Sequence, residues 1–177
     1  MNYDTSKVKM IISDVDGVMT DGSIYIGKGG LELKQFCVSD GAGVALLRAA
    51  GLELALISGR KSEATAERAK ELKIENVYNG TLNKIPPYEA IKKKYNLTDN
   101  QIAYIGDDLI DIPVMELAGV PIATDNAVPA AKKAAVYVTQ NGGGHGAFRE
   151  AVEWLLTKQD RLTEVINLLR EKVQNQK

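Results

Sequence analysis

Asp14 and Asp16 stand two residues apart, just after an apolar run that ends at Ile12. A run of this kind predicts a buried strand, and the following Gly17 is a turn signal. Because side chains alternate along a strand, both carboxylates are expected on one side of its carboxyl end, where open α/β sheets bind ligands. Paired carboxylates there can hold an oxygen-preferring cation, and one can attack phosphorus while the other moves a proton. The alternative interpretation is a turn with two solvated aspartates.

A second acidic segment repeats this arrangement after the apolar residues 102–105. It contains Asp107, Asp108 and Asp111 behind a glycine. One of these could be the N-cap of the following helix, but a cap needs one carboxylate and the segment has three. Two acidic clusters at the ends of neighbouring strands would repel each other unless a divalent cation lay between them. The sequence therefore favours a metal site.

Two further positions predict a phosphate site. An apolar strand at residues 54–57 is followed by Ser58 and Gly59, whose hydroxyl and permissive backbone can cradle a phosphate at the start of a helix. An ordinary strand-to-helix turn capped by the serine explains the same residues. Lys84 precedes another predicted helix, and taken alone it would be a solvated surface residue. Its interest comes from the order Asp-x-Asp, Ser, Lys, Gly-Asp-Asp along one chain.

This order resembles the haloacid dehalogenase superfamily of phosphotransferases, whose four motifs it matches between residues 14 and 111. Within the superfamily, the chain is similar to the 3-deoxy-D-manno-octulosonate 8-phosphate (KDO 8-phosphate) phosphatase family. The closer resemblance rests on four strings, at residues 14–22, 58–61, 106–111 and 143–150. The last string lies outside the shared catalytic motifs, which makes it informative about the subfamily.

The resemblance implies roles for the acidic residues. Asp14 would be the nucleophile that forms an aspartyl-phosphate, and Asp16 would protonate the leaving alcohol and then activate water. Mg2+ would be held by the carboxylates of Asp14 and Asp107 and by the backbone carbonyl of Asp16. Asp108 and Asp111 would be supporting acids that order metal-bound water and the motif lysine.

The resemblance also implies that Ser58, Gly59 and Lys84 hold the phosphoryl oxygens. Electrostatics agrees, because a phosphate dianion repels a carboxylate nucleophile. Mg2+ and Lys84 must offset that repulsion as the transition state forms. Dividing hydrolysis into two displacements lets a weak but well-placed carboxylate act as the attacker.

The sugar-acid part of the substrate has weaker signatures. The family's substrate-binding positions correspond here to Cys37, Val38, Ser39, Asp40, Gly41, Arg60 and Arg68. The planar guanidinium of arginine suits a carboxylate or a phosphate, although Arg68 could equally lie on a solvated helix face.

Two substitutions leave the identity of the sugar open. Ser39 stands where many members of the family carry Arg, and His145 replaces a Lys or Arg between the late glycines. A nine-carbon 3-deoxy-ulosonic acid 9-phosphate is therefore an alternative substrate. Arg60 favours the eight-carbon acid, because the nine-carbon enzymes tend to carry an acidic residue at that position.

The composition limits the classes of function. At 177 residues and 45% hydrophobic, the chain can bury one sizeable core, so we expect a single domain over residues 1–177. A formal net charge of -1 argues against a nucleic-acid partner. The single cysteine, Cys37, excludes an internal disulfide framework and fits a reducing compartment. The start is polar and no apolar run approaches the roughly 20 residues that span a bilayer, so we expect a cytoplasmic protein without a membrane partner.

Strand-like and helix-like segments alternate, which predicts an α/β fold: a doubly wound, Rossmann-like parallel sheet with helices on both faces. The haloacid dehalogenase fold implied by the resemblance is of this kind. The predicted strands are residues 9–13, 53–57, 76–78, 102–105, 121–123 and 136–138. The predicted helices are residues 42–50, 62–72, 85–95, 109–117 and 147–157.

Residues 22–37 interrupt this alternation and predict a β-hairpin flap about a glycine-rich turn. Many phosphatases of the superfamily insert a cap domain here, and this chain has no room for one. The hairpin carries the apolar residues Ile24, Tyr25, Ile26, Leu31 and Phe36. Left exposed, they would need an explanation. Because the resembled family packs its hairpins together in a tetramer, we expect a homotetramer whose subunits help to wall each site.

The chain ends in an amphipathic helical tail at about residues 158–177. Most tails of this kind dock on the body of the protein or on a sister subunit. In the resembled family a tail can also reach a neighbour's active site, and both possibilities stay open.

Two other classes of protein compete with the Mg2+-dependent phosphatase. A signalling receiver domain also uses clustered acids, a lysine and an aspartyl-phosphate, but it lacks the Asp-x-Asp pair and the hairpin. A noncatalytic oligomerisation module, as found fused to sugar-nucleotide cytidylyltransferases, need not keep all four motifs. This chain keeps all of them, which favours the enzyme.

Overall fold

The computed structural model describes residues 3–175; residues 1–2, at the start of the predicted domain, and 176–177, at the end of the predicted tail, lie outside it. Within the described residues the chain forms eight strands: β1 (Met10–Ser13), β2 (Tyr25–Ile26), β3 (Glu32–Leu33), β4 (Glu53–Ser58), β5 (Asn76–Asn79), β6 (Ile102–Gly106), β7 (Val120–Ala123) and β8 (Tyr137–Val138). The same part of the chain forms seven α-helices: α1 (Val38–Ala49), α2 (Glu63–Glu71), α3 (Ile85–Lys94), α4 (Ile112–Met115), α5 (Pro129–Ala134), α6 (Ala147–Lys158) and α7 (Leu162–Gln174).

Six strands form one sheet in the order β5-β4-β1-β6-β7-β8, and all neighbouring pairs are parallel. β1 lies in the middle, with Ile12 opposite Ala55 of β4 and Tyr104 of β6. The chain adds strands first on one side of β1 and then on the other, so the order reverses there. Open α/β sheets bind ligands outside the carboxyl ends of the strands at such a point. The predicted doubly wound α/β fold is confirmed.

Helices cover both faces of the sheet, and β1 shows how the sequence achieves this. Ile11 is fully buried in an apolar cluster with side chains of α1, α2, α6 and α7. Met10 and Ile12 point the other way and are fully buried with side chains of α3, α4 and α5. A central parallel strand is covered on both faces, so it needs a continuous apolar run instead of an alternating one. Burial of each such side chain stabilises the fold by about 1.5–3 kcal/mol.

Three helices differ from the predicted ones. Helix α1 begins at Val38 instead of residue 42, so residues 37–41, which precede the predicted helix, form its N-cap and first turn. Helix α4 is only Ile112–Met115 instead of 109–117, because the Asp111 side chain binds the backbone of the preceding residues and holds them in a turn. Helix α5 was not predicted, since its short alanine- and lysine-rich sequence has little apolar periodicity.

The predicted hairpin is present as β2 and β3, which pair antiparallel with Tyr25 opposite Leu33 and Ile26 opposite Glu32. Each strand has two residues, which is shorter than the predicted span of 22–37. A single turn of 3-10 helix at Lys28–Gly30 joins them. An isolated antiparallel bridge between Thr20 and Phe36 closes the base. This small hairpin occupies the chain between β1 and α1.

The predicted helical tail is α7, which packs on α1 and α6. Val165 anchors it in the core and is fully buried, whereas Val173 near its end is 62% exposed. At 13 residues α7 is the longest described helix. No helix in residues 3–175 combines the length and the apolar character required to cross a bilayer.

Candidate active site

The carboxyl ends of β1 and β6 bring the two acidic segments together. The backbone N–H of Asp14 donates to the carbonyl oxygen of Ile105 at 2.9 Å, so the strand pairing extends to the first aspartate. Carboxylate oxygens of Asp14, Asp107 and Asp111 all lie within 4.8 Å of one another. Oxygen ligands at this spacing and on adjacent strands suit a hard divalent cation.

Lys84 lies in the middle of this acidic cluster. Its ammonium nitrogen is 2.8 Å from Asp14 Oδ1 and 2.7 Å from Asp111 Oδ1, and its side chain is fully buried. The residue sits at the N-cap position of α3, so the start of that helix carries it to the sheet. A buried ammonium is stable only beside carboxylates, and a buried carboxylate only beside a cation. The structure thus makes Lys84 part of the site, not a solvated surface residue.

Both carboxylate oxygens of Asp111 accept hydrogen bonds from other site residues, so this side chain orders the site instead of offering a free metal ligand. Its Oδ1 accepts from the Lys84 ammonium at 2.7 Å and from the Tyr104 hydroxyl at 2.6 Å. Its Oδ2 accepts from the backbone N–H groups of Asp107 and Asp108, both at 3.1 Å. One buried carboxylate therefore fixes both the lysine and the turn that carries Asp107. This arrangement fits the supporting role predicted for Asp111.

The acidic cluster holds more negative charge than its surroundings neutralise. Burial raises the pKa of Asp14 to about 7, against the opposing effect of the Lys84 ammonium. Burial, together with the charges of Asp14 and Asp111, raises the pKa of Asp107 to about 8. Burial alone would lower the pKa of Lys84, but the charges of Asp14 and Asp111 more than offset it, and that pKa lies above its ordinary value. A further cation at the cluster would relieve this excess.

Two buried carboxylate oxygens of the acidic cluster lack a hydrogen bond within the described residues. Asp107 Oδ1 is buried without a partner. Asp14 Oδ1 is buried and forms an ion pair with the Lys84 ammonium at 2.8 Å, without a hydrogen bond. Buried polar atoms normally find partners, so these oxygens mark a place for one. The residues present therefore fit a divalent cation held by Asp14 and Asp107.

Gly17 makes the close approach of the two acidic segments possible. Its φ is +87°, and a Cβ at this position would lie 2.0 Å from Asp107 Oδ2. The loop at residues 14–22 carries the predicted nucleophile and is called the nucleophile loop. Only a residue without a side chain allows this loop to turn here while Asp107 packs on its backbone. The turn signal noted in the sequence is thus a steric requirement of the site.

The late glycines, Gly143 and Gly144, pack against the backbone of the nucleophile loop. A Cβ on Gly143 would lie 2.0 Å from the carbonyl oxygen of Gly17, and one on Gly144 would lie 2.4 Å from the backbone nitrogen of Asp21. The Gly144 N–H donates to the carbonyl oxygen of Val18 at 3.2 Å. Two backbones in such contact leave no space for side chains. Gly143 and Gly144 are therefore steric requirements of this contact.

Asn126 joins these two loops and was missed in the sequence. Its side-chain amide donates to the carbonyl oxygen of Gly17 at 2.9 Å and accepts from the backbone N–H of Gly143 at 2.5 Å. Thr124 donates to the same Gly17 carbonyl oxygen at 3.2 Å. An asparagine after a strand carries no distinguishing pattern, so only the folded arrangement identifies it.

Ser58 and Gly59 lie at the carboxyl end of β4, beside β1. The Ser58 hydroxyl is buried and donates to the carbonyl oxygen of Arg60 at 3.0 Å. Ser58 is not the cap of the next helix, because that role belongs to Ser62, which accepts from the Thr65 N–H at 3.3 Å. A phosphate role for Ser58 stays a prediction.

An open cleft of about 410 Å³ leads to the acidic cluster. It is lined by the predicted site residues Asp14, Asp16, Gly59, Arg60, Asp107 and Asp108, together with Leu82 and Ile110. Three motifs from separate parts of the chain therefore face one space. Leu82 is 71% exposed at this site, so its apolar surface remains uncovered within one subunit.

The hairpin contacts the cleft through two ion pairs, and each of them involves a hairpin residue that the sequence analysis did not single out. Glu32 Oε2 accepts from Arg60 at 2.6 Å and 3.1 Å. Lys34 donates to both carboxylate oxygens of Asp16, at 2.6 Å and 2.8 Å. The sequence did carry one signal for these contacts: an acid and a base, Glu32 and Lys34, stand two residues apart in the predicted hairpin and so point to the same side.

The other predicted sugar-binding residues lie outside this cleft in the single chain. Asp40 is buried, and its Oδ1 accepts from the backbone N–H of Arg149 at 3.0 Å, so it joins α1 to the start of α6. Burial raises the pKa of Asp40 to about 6. Arg68 donates to the carbonyl oxygen of Cys37 at 3.2 Å and to Glu71 at 2.7 Å.

The remaining positions of this set surround the first turn of α1. The hydroxyl of Ser39 lies 2.9 Å from the thiol of Cys37, and Val38 is 86% exposed. A Cβ on Gly41 would lie 3.4 Å from the Arg68 guanidinium. His145 contacts the carbonyl oxygen of Gly143 through Nδ1 at 2.9 Å. Sugar binding by these residues stays a prediction.

Known proteins resemble this chain in both sequence and fold. The family of haloacid dehalogenase-like hydrolases matches residues 64–149. The 3-deoxy-D-manno-octulosonate 8-phosphate phosphatase KdsC of Escherichia coli K12 is 41% identical over 157 residues, which cover 89% of this chain and 84% of that protein. The crystal structure of the Yersinia pestis phosphatase of the same name has a TM-score of 0.87 at 41% identity, covering 90% of this chain and 86% of that one.

A further structure is that of the Moraxella catarrhalis 3-deoxy-D-manno-octulosonate 8-phosphate phosphatase, in complex with a magnesium ion, a phosphate ion and KDO. It has a TM-score of 0.88 at 36% identity, covering 92% of this chain and 94% of that chain. These matches, together with the fold, define a phosphomonoesterase of the haloacid dehalogenase class. The chain belongs to the 3-deoxy-D-manno-octulosonate 8-phosphate phosphatase family, as its identity to these relatives over most of its length shows.

Proposed function

We propose that this protein hydrolyses KDO 8-phosphate to KDO and inorganic phosphate, with Mg2+ as its cofactor. The observation that carries the proposal is the similarity of the chain, over 92% of its length, to the Moraxella catarrhalis phosphatase that holds magnesium, phosphate and KDO. The cluster of Asp14, Asp107 and Asp111 supports the metal. The reaction would serve lipopolysaccharide precursor synthesis, as the family resemblance implies.

We infer that hydrolysis uses two displacements at phosphorus. A carboxylate oxygen of Asp14 bonds to phosphorus, and the bond from phosphorus to the sugar oxygen breaks while Asp16 gives that oxygen a proton. Water then attacks the aspartyl-phosphate, Asp16 takes a proton from the water, and the bond from phosphorus to Asp14 breaks. Lys84, 2.8 Å from Asp14, opposes the repulsion between that carboxylate and the phosphate. Asp14, Asp107 and the Asp16 carbonyl would hold Mg2+, which would supply further positive charge.

Substrate specificity is tested by phosphate release from a panel of esters. We expect kcat/KM for the eight-carbon ester to exceed that for a nine-carbon 3-deoxy-ulosonic acid 9-phosphate by about 10-fold, and that for generic sugar phosphates by about 100-fold. Near-equal values across the panel would contradict the assigned substrate and leave the reaction class intact.

The nine-carbon ester is the second candidate because Ser39 offers a hydroxyl where many family members offer a cation. Arg60 at the cleft favours the eight-carbon acid. We expect Arg60→Glu to reduce the preference for the eight-carbon ester, since nine-carbon enzymes tend to carry an acid there. Lys93→Glu, at an exposed position near the end of α3 away from the cleft, is the control for charge reversal and should leave the ratio unchanged. A ratio unaffected by Arg60→Glu would remove Arg60 from sugar discrimination.

We expect Mg2+ to bind more tightly as the pH rises from about 6 to about 8. Asp14 and Asp107 have pKa values of about 7 and about 8, so the metal-free protein holds protons that Mg2+ must displace. Each displaced proton adds up to about 10-fold in affinity per pH unit. Isothermal titration calorimetry at several pH values measures this directly. Affinity that does not change with pH would contradict it.

The same pKa values predict how the stability of the metal-free protein changes with pH. Because both folded pKa values lie above the ordinary aspartate value of 3.8, the stabilising contribution of these protons is lost as the pH rises through about 7 and about 8. We therefore expect the gain in Tm on adding Mg2+ to be larger near pH 8 than near pH 6. Asp107→Asn should abolish most of this difference, whereas Asp125→Asn at an exposed position should not.

We propose that the protein forms a homotetramer through its hairpin. Tyr25, Ile26 and Leu33 of the hairpin are 54%, 69% and 55% exposed, and Leu82 and Leu109 beside the cleft are 71% and 62% exposed. Apolar side chains grouped in this way mark an interaction surface. Sedimentation velocity should give a tetramer, and Ile26→Glu should dissociate it and reduce activity. A stable monomer with full activity would contradict the proposal.

We also propose a cytoplasmic location. The thiol of Cys37 is free, which suits a reducing compartment. A tagged copy of the protein that fractionates outside the cytoplasm would contradict this location.

A further inference from the structure

Successive side chains of β3 and of Lys34, the residue after it, point alternately towards the cleft and away from it. Leu33 points away from the body and is 55% exposed. Its neighbours Glu32 and Lys34 point inward, with side chains that are 16% and 0% exposed. The inward face therefore carries one acid and one base, and each meets an opposite charge at the cleft.

The ammonium of Lys34 is completely enclosed by site residues. Its nitrogen donates to Asp16 Oδ1 at 2.6 Å and Oδ2 at 2.8 Å, and to the Thr65 hydroxyl at 3.3 Å. Thr65 is itself buried in the first turn of α2. Three acceptors match the three N–H donors of an ammonium. Such a group is held in one place, between the nucleophile loop and α2.

Asp16 depends on this lysine for its orientation. Apart from Lys34, its carboxylate has one side-chain contact in the described chain, a long one of 3.5 Å from the Thr20 hydroxyl. The side chain is 26% exposed where it lines the cleft, so one side of it faces open space. Each carboxylate oxygen has two lone-pair directions. Lys34 occupies one side of the group and leaves the other side for a ligand in the cleft.

The ion pair between Glu32 and Arg60 is a second contact between β3 and the cleft. Glu32 Oε2 accepts two hydrogen bonds from the Arg60 guanidinium, which belongs to the loop after β4. The hairpin is thereby fixed to the nucleophile loop at one residue and to the loop after β4 at another. Because the hairpin has only two residues in each strand, these contacts hold it more than its own pairing does.

We propose that Lys34 is a positioning residue that holds the Asp16 carboxylate in the orientation needed for proton transfer. This inference rests on the proposed phosphatase function, in which Asp16 moves protons to and from the reacting oxygens. The hairpin then does more than cover the site, because it supplies the group that orders the acid–base residue. A misplacement of about 1 Å in such a residue can cost about 100-fold in rate.

Substitution of Lys34 by methionine keeps an unbranched apolar side chain and removes the ammonium. We expect Lys34→Met to lower kcat by about 10- to 100-fold while KM changes by less than about 3-fold. Lys34→Arg should recover part of the loss, since its guanidinium can also bind both oxygens of a carboxylate. Lys93→Met removes the same charge from an exposed position near the end of α3, away from the hairpin and the cleft, and should leave both parameters unchanged.

A double-mutant cycle tests whether Lys34 acts through Asp16. In single turnovers with excess enzyme, Lys34→Met added to Asp16→Asn should cause little further loss, because the carboxylate to be positioned is already gone. Independent, multiplying losses would overturn the proposal. So would an increase in KM with kcat unchanged, which would make Lys34 a substrate-binding residue.

Further measurements separate this inference from folding and from the choice of substrate. Circular dichroism and thermal unfolding show whether the Lys34→Met protein folds. If it does not, Thr65→Val takes its place, because it removes only the longest of the three hydrogen bonds of the Lys34 ammonium. This variant should lower kcat by a few fold. An unchanged kcat for Thr65→Val in that case would overturn the proposal. The cycle uses whichever ester of the panel the wild type hydrolyses fastest. A wild type inactive on KDO 8-phosphate thus contradicts the proposed substrate and leaves the test of Lys34 intact.

Discussion

Asp14→Asn is expected to reduce phosphate release from KDO 8-phosphate by about 10⁴-fold or more, with the fold retained. The carboxamide has nearly the shape of the carboxylate but is a far weaker nucleophile towards phosphorus. Lys84 keeps its 2.7 Å contact with Asp111, so its buried charge still has a partner. Steady-state release of inorganic phosphate measures the effect. Asp125→Asn, whose side chain is 63% exposed, is the matched control and should behave like wild type.

Asp14→Asn also tests whether the protein is an enzyme or belongs to one of the alternative classes, such as a noncatalytic oligomerisation module. Mg2+ binding should be weakened but partly retained through Asp107, because that ligand remains. A noncatalytic module would show no phosphate release in the wild type, so Asp14→Asn would change only metal binding. A variant with the full wild-type rate would show that Asp14 is not the nucleophile.

Gly143→Ala is expected to destabilise the protein by about 3 kcal/mol and to lower kcat/KM by about 100-fold. The new methyl group would lie 2.0 Å from the carbonyl oxygen of Gly17 and 2.6 Å from that of Thr20. Both atoms belong to backbone, so the clash cannot be relieved by rotating a side chain. The nucleophile loop must move away, and its carboxylates move with it. Urea unfolding and phosphate-release kinetics measure the two effects.

Gly51→Ala provides the control for Gly143→Ala. Gly51 has a φ of +70° but nothing within 4 Å of a Cβ, so alanine costs only the conformational strain, about 1–2 kcal/mol. Activity should not change, because Gly51 follows α1 at the end of the sheet away from the cleft. If Gly143→Ala lost no more activity than Gly51→Ala, the proposed support of the nucleophile loop by the late glycines would be wrong.

The sequence was sufficient for the fold class and for the acidic part of the site because both follow from local patterns. Apolar runs predicted the core strands to within a residue or two, since a parallel strand that is buried on both faces tolerates little else. Acidic residues directly after two such strands had to meet, because adjacent parallel strands end at the same edge of the sheet. The order of the motifs was enough to identify the superfamily and the phosphatase class.

The elements that were predicted less well depend on contacts between distant parts of the chain. The helix expected at 109–117 is shortened because the Asp111 side chain binds the backbone of the turn before it. Residues 38–41 form the first turn of α1, where Asp40 accepts a hydrogen bond from the backbone N–H of Arg149 in the distant helix α6. Neither contact follows from local propensity, since each depends on a partner that only the folded chain brings near.

The sequence by itself therefore determined which residues could carry the chemistry: Asp14, Asp16, Ser58, Lys84 and Asp107 stand in an order and spacing that few other functions require. The tertiary structure alone decided how they are held. Lys34 on the hairpin binds Asp16 in the nucleophile loop, and Asn126 joins the loop of Gly17 to Gly143. Glycines at 143 and 144 allow two backbones to touch. Local patterns report which side chain stands where along the chain, whereas hydrogen bonds and close packing between remote segments depend on three-dimensional distances that no local pattern contains.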